Sequence, residues 1–159
     1  QTRQNVMDHI RFDNAYVAKI TVTDHGDVLC HVPDEHKTYE LCLIAVSQCC
    51  NASQCVPEKH KTYELCLAAV TQYGGALEYV PDKYKTYKLC VAAVTAHGNA
   101  LEFVPDKHKT SELYAISVAQ HGYALQYIPE EHRIYELCLI AVTNNVRQTV
   151  AVDIGHSDS

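Results

Sequence analysis

The chain has no tryptophan, one methionine, six glycines and five prolines in 159 residues. So few turn formers weigh against a turn-rich β-sandwich. No stretch approaches the ~18 unbroken apolar residues of a membrane-spanning helix. The longest apolar runs, such as Leu41–Val46, are six residues. Positive charge is not in excess: 13 Lys and Arg against 19 Asp and Glu leave a formal net charge of −6 at pH 7. That balance excludes a nucleic-acid sleeve, which relies on surplus Lys and Arg. Ser-His-Asp order, H-E-x-x-H, a P-loop and G-x-G-x-x-G are all missing, so nucleophilic and phosphoryl-transfer chemistry has no visible residues to carry it. No basic segment followed by an apolar one opens the chain as a secretory signal would. The start at Gln1, with the first methionine at Met7, reads as a piece of a longer protein.

What is present is order. A 47% hydrophobic, 20% charged composition is that of a folded chain, and its length suits one domain. Pro33, Pro57, Pro81, Pro105 and Pro129 stand 24 residues apart. Gly26, Gly74, Gly98 and Gly122 keep that register, with Cys50 in the missing place. Thr38, Thr62, Thr86 and Thr110 recur in step, as do Leu41, Leu65, Leu89, Leu113 and Leu137 and the following Ala-Val pairs. A fixed period of this length is the mark of a solenoid. The copies divide as 9–32 (degenerate), 33–56, 57–80, 81–104, 105–128 and 129–152, followed by a polar tail, 153–159.

Each copy parses into two short helices. Thr62 is placed to cap the first, and Glu64 sits where a carboxylate suits the positive helix end. The run Glu64–Tyr73 has no breaker, and Gly74 is expected in the left-handed position that ends a helix. Ala76–Val80 forms a second α or 3-10 turn, closed by Pro81. Because Leu65–Val70 is apolar all round, the helix calls for cover on several sides by its neighbours. The expectation is an all-α solenoid of six helix–turn–helix units, on the order of 50 Å long at ~8–10 Å per helix. The outermost copies differ, as terminal copies of a stack must: Lys19 and Thr21 interrupt the first, and the last has Val146 in place of glycine.

At this point two strings carry a resemblance: Ala76-Leu-Glu-Tyr-Val-Pro-Asp and Tyr63-Glu-Leu-Cys-Leu-Ala-Ala-Val. They resemble a bacterial family of tandem repeats catalogued as a domain of unknown function, over roughly residues 26–145. The resemblance implies tandem α-helical repeats of a type found in proteins of intracellular bacterial pathogens, including secreted effectors. It implies no enzymatic activity. The match departs at Cys49-Cys50-Asn51-Ala52-Ser53-Gln54-Cys55, where glycine and A-L-E-Y are lost.

Eight cysteines raise a disulfide scaffold, but Cys42, Cys66, Cys90 and Cys138 share one repeat position inside apolar runs and read as small buried hydrophobes. A reducing, cytoplasmic compartment follows from that reading. The deviant copy is the exception. Cys49, Cys50 and Cys55, with Cys30 one copy earlier, could offer thiolates to zinc or form a disulfide. The plainer expectation is drift, with no metal and no cofactor. His36, His60, His108 and His132 share one position, too far apart for routine co-ligation, and read as a ladder over the inter-unit seam. Acids at 34, 58, 82, 106 and 130 and bases three residues later read as a solvated edge of weak ion pairs.

Positions that vary between copies can serve a partner. Tyr73, His97 and His121, with Asn99 and Tyr123, flank the glycines on one edge and form the expected partner-binding set. The expectation is therefore a non-catalytic protein–protein interaction scaffold that contacts another protein or a domain of the parent chain, without nucleic acid or membrane insertion. Its alternatives are a spacer for a domain elsewhere in the parent chain and a Cys/His metal protein centred on residues 30–55.

Overall fold

The computed structural model describes Val22, Thr23 and residues 25–154; most of the first copy and the tail beyond Ile154 lie outside the described residues. The period of the sequence is the period of the structure. Helices α1 (Tyr39–Gln48), α2 (Tyr63–Gln72), α3 (Tyr87–Ala96), α4 (Ser111–Gln120) and α5 (Tyr135–Ile154) begin one repeat apart. Between them run 3-10 helices η1 (Gly26–His31), η2 (Cys50–Cys55), η3 (Gly74–Tyr79), η4 (Gly98–Phe103) and η5 (Gly122–Tyr127). After Pro57, Pro81, Pro105 and Pro129 a further 3-10 turn, such as Glu58–His60, leads into the next α-helix, and after Pro33 a plain turn does so.

Two layers result. The α-helices lie beside one another, the 3-10 helices do the same, and α1 to α4 each pack on their own 3-10 helix and on the preceding one, while α5 packs on the preceding one, η5. This is a helical repeat solenoid whose core is the seam between the layers. Leu65, Cys66, Ala69 and Val70 of α2 are buried, as are Leu77 and Ala76 of η3, and the same places are buried in α1, α3, η1 and η4 wherever the residue is apolar. Each fully buried Leu or Val contributes about 1.5–3 kcal/mol of transfer free energy, and in a stack part of that cover comes from neighbouring units.

Thr38, Thr62, Thr86 and Thr110 cap as expected: each hydroxyl accepts from the amide three residues on, at 3.2–3.3 Å. Glu40, Glu64 and Glu112 occupy the first turns of α1, α2 and α4. In α3 the place is taken by Lys88.

The glycines do something else than expected. Among the described residues no glycine has positive φ, so Gly74 and Gly98 are not left-handed helix terminators. The α-helices end instead at an extended residue, Cys49, Tyr73, His97 or His121, with φ between −139° and −146°. At Gly26, Gly74 and Gly98 glycine then opens the 3-10 helix because a side chain there would meet the next unit, whereas η2 opens with Cys50. A Cβ on Gly26 would stand 2.7 Å from the carbonyl oxygen of Ala45 in the next unit. One on Gly74 would collide with the Ala93 carbonyl, and one on Gly98 with that of Ser117. The requirement is close approach of two backbones across a seam, not backbone conformation.

The final unit also departs from the rest. Without a glycine at position 146, α5 does not stop after ten residues but continues for 20. Val142 is 61% exposed, although its equivalents Val70, Val94 and Val118 are fully buried by a following unit.

Candidate functional site

The sequence places its partner-binding set at the ends of the α-helices, and there the structure assigns it two different kinds of work. A helix leaves its last carbonyls without intrahelical donors. Here the next unit supplies them. The Tyr73 hydroxyl donates to the carbonyl of Gln48, the last residue of α1, at 3.1 Å. Asn144 Nδ2 donates to the Val118 and Ala119 carbonyls of α4, at 3.3 and 2.9 Å. The Gly74 amide donates to Nδ1 of His97 at 3.3 Å, and the Ser117 hydroxyl donates to the carbonyl of Gly98 at 2.7 Å. Tyr73 and His97 are thus engaged by the stack, and His121 is half-buried. Asn99 is exposed and Tyr123 is 72% exposed, so these two remain open on that edge.

The opposite edge carries the charged and histidine ladders. Lys37, Lys61 and Lys109 pair with Asp34, Glu58 and Asp106 at 2.7–2.9 Å, and Lys85 reaches Asp82 at 3.5 Å. The lysine side chains are only 8–19% exposed, whereas the acids are open to solvent. The expected solvated edge is therefore half right: the lysine stems cover the seam and the carboxylates face water. The Lys37 ammonium, through hydrogen bond and charge, holds the Asp34 carboxyl below its usual range. Arg133 departs from the ladder, donating to the Ile128 and Gln126 carbonyls. The histidines sit over the seams: His108 lies against Tyr87 of the preceding unit, with ring centroids 6.3 Å apart, and His132 against Tyr114 at 5.5 Å.

The cysteines split into two groups. Cys42, Cys66 and Cys90 are buried thiols, as their repeat position predicts, and burial pushes the Cys42 thiol up to about 11. Cys30 and Cys55 are not free. They form a disulfide between η1 and η2, with Cα atoms 5.0 Å apart. This corrects the reading of Cys55 as drift and removes both sulfurs from the thiolate set Cys30, Cys49, Cys50 and Cys55 considered for zinc. Cys49 is a free, half-buried thiol, and the side chain of Cys50 lies outside the description. Among the described residues no group of three or more His, Cys, Asp or Glu is arranged to hold a metal ion.

Sequence reasoning missed a further surface. The α-helices were expected to be covered on several sides, yet their outward face is only partly covered. Leu43 and Ile44, Leu67 and Ala68, Val91 and Ala92, and Ala115 and Ile116 are half-buried in successive helices, and Leu139 is 49% exposed. These residues form an apolar row across the α layer. Exposed Glu40, Glu64, Glu112 and Glu136 border it at the helix N-termini, interrupted by Lys88. Ser47, Thr71 and Thr95 border it on the other side. Between α1 and α2 the row dips into an open groove of about 430 Å³ lined by Ser47, Tyr63, Glu64, Leu67, Ala68 and Thr71. The signal was present in the sequence as apolar residues in excess of what a one-sided helix needs. Among the described residues no helix is long and apolar enough to cross a membrane.

No curated protein and no solved structure matches the chain. A family model does, twice: it is described as a domain of unknown function (DUF4116), and its overlapping matches cover residues 38–85 and 62–109. The two matches are offset by one repeat and each is two repeats long, so residues 38–109 are similar to a repeat family of unknown function.

Proposed function

We propose that this array is a non-catalytic protein-interaction scaffold that receives a basic amphipathic helix on the outward face of its α layer. The observation that carries this reading is the apolar row of residues 43/44, 67/68, 91/92 and 115/116, which the stack covers only in part and which exposed glutamates border along one side. An amphipathic helix lies in such a groove with its apolar face down. Glutamates along the margin, and a chain of net charge −6, favour Lys and Arg on the occupant's flank. The exposed pair Asn99 and Tyr123 supplies polar and aromatic contacts at the other edge of the stack. The likeness to repeats found in intracellular bacterial pathogens supports a place for this scaffold in a bacterial effector that works in a reducing cytosol.

The test uses the full chain and three labelled peptides in fluorescence anisotropy: a basic amphipathic helix, its acidic counterpart, and a basic peptide without an apolar face. The basic amphipathic peptide should bind most tightly and lose affinity as salt rises. A variant carrying Glu40→Lys, Glu64→Lys, Glu112→Lys and Glu136→Lys should lose that binding, with circular dichroism showing that it remains helical although loss of the helix-end carboxylates and of the Tyr87–Glu112 bond lowers its thermal stability. Equal affinity for all three peptides, or binding unaffected by the four substitutions, overturns the reading.

A further inference from the structure

We propose that Cys30 and Cys55 form a reversible thiol–disulfide site that fastens η1 to η2, and that its reduction by a cellular thiol loosens these two 3-10 helices while the rest of the array stays folded. The inference does not depend on the interaction reading above.

The bond joins residues 25 positions apart, one repeat plus one. That offset is a standing feature of the seam. Glu102 and Tyr127 occupy the equivalent places, each three units further on, and there burial and the nearby Glu102 carboxylate push the Tyr127 hydroxyl above its usual range. The other seams hold without a covalent link, so the bond is an addition to the stack rather than a condition of it.

It is added beside a local packing defect. Ser53 stands where Leu29, Leu77 and Leu101 fill the core with no exposure. Ser53 is itself buried, at 6% exposure, and its hydroxyl has no hydrogen-bond partner among the described residues. A cavity of about 10 Å³ lies beside it, lined by Leu65, Ala69, Ala76 and Tyr79 among others. Cys55 itself replaces the aromatic residue seen at Tyr79, Phe103 and Tyr127, and Cys50 replaces the glycine of the close approach. In a stack held by nearest-neighbour contacts, a unit that has lost a core leucine and an aromatic opens before the others do.

The site is also reachable. Cys30 is exposed and Cys55 half-buried, while Cys42, Cys66 and Cys90 are buried away from any reagent. A reductant thiolate attacks the Cys30 sulfur, the S–S bond breaks, and Cys55 leaves as a thiolate that takes up a proton. A second reductant thiolate then attacks the small-molecule sulfur of this mixed disulfide, and Cys30 leaves as a thiolate that takes up a proton. Two protein thiols and one oxidised small-molecule disulfide result, and the two electrons come from the reductant. The disulfide of the same small thiol reverses the steps.

The test is hydrogen exchange on the full chain, followed by mass spectrometry, after equilibration in glutathione buffers of oxidising and reducing ratio. Under oxidising conditions the intact mass should be lower by two hydrogen atoms, with the link mapped to Cys30 and Cys55. Reduction should speed exchange at least tenfold in residues 26–32 and 50–56 and leave α3 and α4 unchanged. The double variant Ser53→Leu/Cys55→Tyr, which restores the repeat's own residues, should show slow exchange over 50–56 even in reducing buffer, with α3 and α4 reporting that it has folded. Failure of the bond to form in the oxidising buffer, equal exchange in both buffers, or loosening of the whole array on reduction overturns the proposal. So does a folded double variant that exchanges as fast as the reduced parent.

Discussion

The Ser117 hydroxyl donates to the Gly98 carbonyl at 2.7 Å, and the Ser117 carbonyl in turn stands where a Gly98 side chain would have to go. One residue of α4 thus fixes the entry of η4 from both sides, by a bond and by exclusion. The same exclusion acts between Gly74 and Ala93 and between Gly26 and Ala45.

A methyl group at these places meets backbone that cannot turn aside. Gly74→Ala and Gly98→Ala should each cost about 1–3 kcal/mol, the usual range for overpacking. Gly75 is the control, since a Cβ there meets nothing within 4 Å and its φ is not positive. Gly75→Ala should be neutral or stabilising by up to about 1 kcal/mol. Urea midpoints of the three variants decide the matter, and equal losses at 74 and 75 would show that conformation rather than approach governs these glycines.

Ile134 occupies the place of the four threonine caps, and it is 51% exposed with no hydroxyl to offer the first turn of α5. Ile134→Thr should therefore stabilise the last unit, by about 0.5–2 kcal/mol if the new cap forms fully. Thr62→Ala should lose a similar amount. Thermal unfolding of both variants checks the pair, and a destabilised Ile134→Thr protein would count against the capping account.

Ser53→Leu should raise stability by about 1–2 kcal/mol, since it fills apolar space beside Leu65 and Ala76 and removes an unpartnered buried hydroxyl. The effect should be larger in reduced protein, where no bond supports η2. Denaturant curves with and without reductant measure both quantities.

Cys42, Cys66 and Cys90 have thiols raised above the ordinary value by burial, Cys42 to about 11. A folded value above the unfolded one means stability that is complete below about pH 9 and falls as pH climbs from there towards 11. Iodoacetamide at pH 8 should accordingly label Cys49 and Cys138 in the native state and reach the three buried thiols only on unfolding. Native labelling of Cys66 at the rate of Cys138 would contradict this.

The sequence displayed some of these features and hid others for a geometric reason. Aligning the copies compares residues that occupy equivalent places, so the Thr caps, the Leu-Cys and Ala-Val frame and the buried thiols could all be read directly. The seam instead joins places that are not equivalent. Gly98 meets Ser117 at a separation of 19, Gly74 meets His97 at 23, and Tyr73 meets Gln48 and Cys30 meets Cys55 at 25. None of these pairs shares a column. Tyr73 and His97 consequently look like free variation, and Cys55 like decay, although each has a partner in the adjoining copy. The open row on the α layer escaped notice because an all-apolar run does not reveal which of its sides the neighbours reach.

Every seam joins the back of one copy to the front of the next, so no two contacting surfaces are alike and no symmetry operation closes the series. Excising or duplicating a whole copy recreates a junction of the same design at the cut. Gene slippage can therefore lengthen or shorten such a chain in complete increments, setting its reach without the invention of any new fold.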